Sequence, residues 1–207
     1  MRGRQARRCP VCDQPLRPAE ACPNTVCGFA DRGFSSVRAV SEDSEEMWRV
    51  IRRYKYGEER NWAAVLGRLL VGFLDAHRED YAGFDLITPS PNYFGPGAGR
   101  AFDHLRLVLE ASARQAPEWP FAFEVVAKTA PSARFIGKSP SERQAIAEGP
   151  LRAALTVPNH RRVAGRRVLV VDDVYSEGFT IRETARALRA AGAREVAEIV
   201  FTRRKGC

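Results

Sequence analysis

The stretch Val168-Leu169-Val170-Val171-Asp172-Asp173-Val174-Tyr175-Ser176-Glu177-Gly178-Phe179-Thr180 starts apolar, turns acidic, and closes on small and hydroxylic residues. Its first part, residues 167–171, reads as a short buried strand, because a β-branched run with no polar alternation suits a strand covered on both faces. Residues 181–191 then show helical periodicity, Gly192 stands where a left-handed terminator belongs, and residues 195–202 read as a second strand. A strand, a crossover helix and a strand make a parallel pair. Alternating strands and helices further upstream extend this to an α/β fold with a mainly parallel, twisted sheet flanked by helices.

The loop between the first strand and the helix carries the chemistry. A phosphate is held by several backbone N–H groups aimed at one spot, and a tight turn feeding a helix supplies them together with the positive end of the helix dipole. Gly178 permits close approach of the backbone, and the hydroxyls of Ser176 and Thr180 donate to phosphate oxygens. Asp172 and Asp173, at the carboxyl end of the strand, accept hydrogen bonds from a vicinal diol. Phosphate donors beside diol acceptors describe a ribose 5-phosphate site. An acidic pair alone would equally suit a solvated strand end; the loop beside it favours the site.

The chain has 207 residues, enough for one α/β core with a small appendage. Its hydrophobic fraction of 44% and charged fraction of 28% are those of a folded protein. No apolar run of about 18 residues is present, so no membrane span is expected. The basic start, Met1 to Arg8, leads into Cys9-Pro10 and not into an apolar segment, so a secretory signal is not expected and the cytoplasm is the default location. A net charge of +8 suits contact with polyanions, or simply a solvated arginine-rich surface.

Four of the five cysteines lie within the first 27 residues, as Cys9-Pro-Val-Cys12 and Cys22-Pro-Asn-Thr-Val-Cys27. Clustering of this kind outside an oxidising compartment speaks for metal before disulfide. Two such knuckles offer four thiolates to one tetrahedral Zn²⁺, and a full sulfur shell makes the ion structural. About 30 residues bury too little to fold alone, so metal binding would serve as the core of the module. The expected division is a zinc module over 1–32 and an α/β domain over 33–207. Cys207 falls outside the cluster, has no assigned role, and is expected to be a solvent-exposed thiol.

Between these landmarks, Ser41 to Glu46 reads as an acidic, capped helix start, with a helix running to Gly57. A second amphipathic helix is expected over 62–77 and a third over 101–115. Residues 84–91 read as a buried strand opening into a loop made flexible by Gly95, Gly97 and Gly99. Another strand is expected over 121–127, then a polar stretch, 128–149, read as a functional flap. His77, His104 and His160 show no readable metal or acid–base partner and are expected at the surface or on helices.

The loop resembles the type I phosphoribosyltransferase signature, in which an apolar strand precedes an acidic pair and a hydroxyl-glycine-hydroxyl phosphate loop. The remainder is similar to the competence-protein ComF family: a four-cysteine module, a helix ending in Tyr54-Lys55-Tyr56-Gly57, a strand end Pro89-Ser90-Pro91, and Arg100-Ala101-Phe102-Asp103-His104 opening a later helix. The resemblance implies a type I phosphoribosyltransferase-like fold and 5-phosphoribosyl 1-diphosphate, with Mg²⁺, as substrate. In this reading Asp172 and Asp173 hold the ribose. The loop Val174, Tyr175, Ser176, Glu177, Gly178, Phe179 and Thr180 holds the 5′-phosphate. Ser90 and Arg100 meet the diphosphate, and Lys128, Lys138 or Arg143 closes over it.

Two departures stand out. Where the family's flap carries a Thr-x-x-Gln feature, this chain has Thr129-Ala130-Pro131-Ser132, without the glutamine. Glu177 takes the place of a small hydroxylic residue, and a carboxylate about 4 Å from a phosphate costs roughly 1 to 4 kcal/mol unless it turns to solvent, which is the expectation here. The alternative the resemblance implies is a non-catalytic ComF-like protein that binds DNA or a DNA-uptake partner through Arg2–Arg8, Arg52-Arg53, Arg161-Arg162, Arg166-Arg167 or Arg203-Arg204-Lys205. A further reading is a zinc-ribbon adaptor. Candidate partners are therefore a phosphoribosyl ligand, DNA or a DNA-handling protein, and a second copy of the chain.

Overall fold

The computed structural model describes residues 7–42, 44–57, 59–99, 101–133, 135 and 137–203. Arg100, Arg134, Arg204, Lys205 and Cys207 lie outside them. Four strands, β1 (Val37–Ser41), β2 (Leu86–Pro89), β5 (Arg167–Tyr175) and β6 (Glu195–Arg203), form one sheet in the order β1-β6-β5-β2. Every neighbouring pair is parallel, as the βαβ reading requires. A small antiparallel pair, β3 (Ala127–Lys128) with β4 (Leu155–Thr156), closes the segment between them into one excursion.

Both faces of the sheet are covered. On one, Val168, Val170, Val196 and Val200 pack with Ile181, Ala185 and Leu188 of the crossover helix, Phe179–Ala190, and with Cys9, Val11, Cys12 and Val26 of the cysteine segment. On the other, Leu169, Val171, Ile199 and Phe201 meet α1 (Glu45–Tyr56), α2 (Trp62–Ala76) and α3 (His104–Gln115) through Tyr54, Leu66, Leu70 and Leu109. This explains the unbroken apolar run in β5. The strand has no solvent face.

The helix starts follow from local chemistry. Ser44 accepts from the Met47 amide ahead of Glu45 and Glu46, and Asp103 accepts from the Arg106 amide. Within the flap, α4 (Pro140–Ile146) begins with a capping box between Ser139 and Glu142, with proline at the first turn. That signature is plain in the sequence, yet the segment read as a loop because of its prolines and glycines. The crossover helix is α5, and Gly192, at φ 92°, ends it in the left-handed region as expected.

Two expectations need correction. Residues 121–127 do not form one strand: Phe121 makes a single parallel bridge to Ile87, and Glu124 at φ 60° breaks the extended chain before β3. Strand β1 was not expected. It is five residues long, and only Val37 is fully buried, so it lacked both an apolar run and alternation. Among the described residues no helix is long and apolar enough to cross a membrane.

Candidate functional site

The quoted loop sits at the carboxyl end of β5, where ligands of open α/β sheets bind. Strand β5 runs through the acidic pair to Tyr175. Successive side chains of a strand point to opposite faces, so Asp172 continues the face of Val168 and Val170, while Asp173 continues that of Leu169 and Val171. The expectation that both carboxylates grip one diol side by side is changed by this alternation.

Asp172 lines a cleft with Phe135, Val174, Tyr175, Ser176, Glu177, Gly178, Thr180 and Glu198. Ser90, buried at the end of β2, hydrogen-bonds its carboxyl, which also accepts from the Asp173 amide at 2.8 Å. Burial, reinforced by the charge of Asp173, pushes the Asp172 carboxyl up to about 6. Asp173 faces the other way. Its Oδ2 lies 2.6 Å from Lys55 Nζ and 2.6 Å from His104 Nε2. The three side chains are only 10%, 12% and 2% exposed, in the order Asp173, Lys55, His104. His104, expected to lack a partner, thus joins the start of α3 to the sheet, and Lys55 joins the end of α1. Their partners are 118 and 69 residues away (173 minus 55 and 173 minus 104), beyond the reach of any local pattern. His77 and His160 are exposed, as expected.

The turn has the conformation an anion loop requires. Gly178 adopts φ 85°, and α5 starts there without a side-chain cap. Its first-turn amides have no partner within the helix. A side chain at 178 would collide with the Tyr175 phenol, 2.7 Å from the added carbon, so the position demands glycine for space as well as conformation.

Glu177 does not turn to solvent. Its Oε2 lies 3.0 Å from Arg143 of α4, and its side chain is 14% exposed. Arg143 also donates to the Phe135 carbonyl at 3.2 Å. Segment 128–149 therefore latches onto the turn after β5 through the residue that departs from the expected pattern. Its base is fixed by paired bonds from Arg152 to buried Glu183 of α5, at 2.7 and 3.1 Å, and by Arg182 to Glu148 at 2.6 Å. The enclosed free space in the cleft is about 30 Å³.

Lys128 and Lys138 do not meet this cleft. Lys128 donates to Ser132 at 2.6 Å and lines a second cleft of about 190 Å³ with Asn92, Tyr93 and the glycine loop. Lys138 pairs with Glu142 at 3.2 Å on the surface.

Glu198 escaped the sequence reading because it sits inside an apolar strand. It is 3% exposed, it lines the cleft beneath Asp172, and its Oε2 has no hydrogen-bond partner among the described residues. Burial, then the charges of Asp172 and Asp173, raises its acid well above the ordinary carboxylate range. As pH rises past the unfolded value, the folded chain keeps a proton that the unfolded chain has released, so stability falls. Glu198→Gln removes that proton. Its stability relative to the parent is expected to grow between pH 5 and pH 8, by about 1.4 kcal/mol for each unit of elevation. Denaturant unfolding at three pH values checks this; parallel pH profiles would contradict it.

The four cysteines come together as expected. Their Sγ atoms all lie within 4.8 Å of one another, with Cys12 and Cys22 at 3.7 Å. Tetrahedral Zn–S bonds of about 2.3 Å place sulfurs roughly 3.8 Å apart, so the cluster fits that ion. Asp13, at φ 60°, turns the first knuckle, and its amide donates to the Cys9 carbonyl at 2.8 Å.

Residues 123–207 match the phosphoribosyl transferase domain. The phosphoribosyl transferase match takes in the flap, β5, the loop, α5 and β6; the cysteine cluster and α1 to α3 precede it. Among solved structures, the chain is similar to glutamine phosphoribosylpyrophosphate amidotransferase from B. subtilis, at 26% identity over 69% of this chain and 26% of that chain, TM-score 0.43. It is also similar to phosphoribosylpyrophosphate synthetase from Mycobacterium smegmatis (20%, 66% and 33%, TM-score 0.36). A third is purine phosphoribosyltransferase from Pyrococcus horikoshii Ot3 (18%, 70% and 85%, TM-score 0.38). The chain spans about a quarter of the first of these. No curated protein matches it.

Proposed function

We propose that this chain binds 5-phosphoribosyl 1-diphosphate, as its magnesium complex, and transfers the phosphoribosyl group to an acceptor. The supporting observation is the uncapped start of α5 at left-handed Gly178, beside Asp172, within the segment that matches the phosphoribosyl transferase domain. In this reading the amides of 176–180 and the hydroxyls of Ser176 and Thr180 hold the 5′-phosphate. Asp172, oriented by Ser90, accepts a ribose hydroxyl. Asp173 acts through Lys55 and His104, fixing the strand end. Ser90 lies on the diphosphate side, the glycine loop with Lys128 frames it, and Arg100 is assigned to the diphosphate from the sequence alone. Positioning and electrostatic stabilisation of an oxocarbenium-like centre would supply the rate enhancement.

The cysteine cluster ahead of this domain supports a ComF-like protein with structural Zn²⁺; a cytoplasmic location and pairing with a second copy belong to the same reading. For the alternative reading, DNA binding without catalysis, three of the candidate arginines are engaged within the chain: Arg203 is buried and donates to the Cys12 carbonyl, while Arg166 and Arg167 pair with Asp85 and Glu195. Calorimetric titration with 5-phosphoribosyl 1-diphosphate and Mg²⁺, followed by diphosphate release with a panel of nucleobases, tests the proposal. Binding with acceptor-dependent release is expected. Binding without release would leave a sensor, and absence of binding would overturn the proposal.

The latch gives a sharper expectation. Glu177→Thr removes the carboxylate from the phosphate loop and frees Arg143 to face the anion. Ribose 5-phosphate is expected to bind at least about fivefold more tightly, the lower end of the Coulomb range for a charge about 4 Å away. Unchanged affinity would mean that Glu177 and the ligand do not share the loop.

A further inference from the structure

The Asn24 side chain hydrogen-bonds the cysteine segment to the loop that follows β5. Asn24 lies in the second knuckle, between Cys22 and Cys27, and is buried at 3% exposure. Its Oδ1 accepts from the Val26 amide at 3.1 Å, capping the short turn that delivers Cys27. Its Nδ2 donates to the Tyr175 hydroxyl at 3.1 Å and to the Ser176 carbonyl at 3.2 Å. Tyr175 is likewise buried, with its hydroxyl 4.0 Å from Cys27 Sγ, and its ring lies under Gly178. Every hydrogen-bonding group of the Asn24 amide is used, and no water can stand in at so buried a site without rearrangement.

We infer that Asn24 is a positioning residue that couples metal occupancy of the cysteine cluster to the shape of the phosphate loop. The ligand half of this inference rests on the function proposed above; the structural half does not. The knuckle 22–27 is held in shape by its two cysteines, and through Asn24 it fixes both the phenol that supports Gly178 and the carbonyl that opens the turn. Loss of the ion would release Asn24, and the amides of 176–180 would sample conformations that no longer converge on one point. Coupling between two sites is reciprocal in free energy, so a ligand that orders the loop would in turn tighten metal binding.

The test uses the full chain and amide hydrogen exchange. Asn24→Ser keeps a capping oxygen for Val26 but is too short to reach Tyr175 or Ser176. With zinc still bound in a one-to-one ratio, this variant is expected to exchange the Arg182 amide, which donates to the Gly178 carbonyl at 3.0 Å, about tenfold faster than the parent, the scale of one lost buried hydrogen bond. The parent stripped of metal by a chelator should show the same acceleration. Ribose 5-phosphate should bind the zinc-loaded variant correspondingly more weakly. Unchanged protection of the Arg182 amide in both samples would overturn the coupling, whatever the ligand does. Accelerated exchange with no ribose 5-phosphate binding by the parent would support the coupling and remove the proposed function instead.

Discussion

Asp173→Asn is expected to lower the unfolding free energy by about 3 to 5 kcal/mol at pH 7, whereas Asp172→Asn, one residue earlier, should leave it intact or raise it. The difference follows from the faces of β5. Asp173 holds Lys55 Nζ and His104 Nε2 on one carboxylate oxygen, and all three side chains are nearly buried. Removing the anion strands an ammonium in a low-dielectric pocket, which is the costly way to break a buried pair. A domain of this kind has a total stability of about 5 to 15 kcal/mol, so the variant would retain only part of it. Asp172, by contrast, carries a charge that burial and Asp173 already disfavour, so its neutral replacement relieves repulsion. Its loss should appear in ligand affinity. The free carboxyl titrates at about 6, and only the ionised form is a full acceptor, so ribose 5-phosphate binding should weaken as pH falls below that value. Chemical denaturation and calorimetry on the two variants check both halves. Equal stability costs would contradict the division of roles.

Cys12→Ser should abolish stoichiometric zinc and destabilise the whole domain, not the first 30 residues alone. Cys12 is fully buried, and Cys9, Cys12, Val11 and Val26 belong to the same apolar cluster as Val168, Val170 and Leu188. The Val37 amide, at the start of β1, donates to the Val11 carbonyl at 2.7 Å, so the first knuckle also anchors an edge strand. Structural zinc supplies on the order of 10 kcal/mol to modules of this size. Even a third of that, transmitted to the sheet, would shift thermal unfolding by roughly ten degrees for a domain of about 200 residues. Metal analysis with thermal unfolding provides the check. A variant that loses zinc yet unfolds at the parent temperature would show the module to be energetically separate.

What could be read from the sequence was what is local. The segment from Val168 to Thr202 declared itself because an apolar run, a glycine turn, a helical period and a terminating Gly192 occur in order. The knuckles did so because ligand spacing is itself local. Lys55, His104, Glu198 and Asn24 did not, because each acquires meaning from a partner brought to it by the sheet: Asn24 meets Tyr175 across 151 residues, and Glu198 meets Asp172 across two strands. Glu177 was conspicuous as an anomaly, but its answer, Arg143, lies in a segment whose capping box is outweighed by the surrounding prolines and glycines. Strand β1 gave no signal because its pairing with β6, and not its composition, makes it a strand.

The proposed activity requires amides at the start of α5 to converge on a phosphate. Backbone amide shifts followed by NMR, while ribose 5-phosphate is added to saturation, test this most directly. Saturable changes should concentrate on residues 176–180 and extend to the flap around Arg143 as it releases Glu177. Changes centred elsewhere, or none at saturating phosphate sugar, would contradict it.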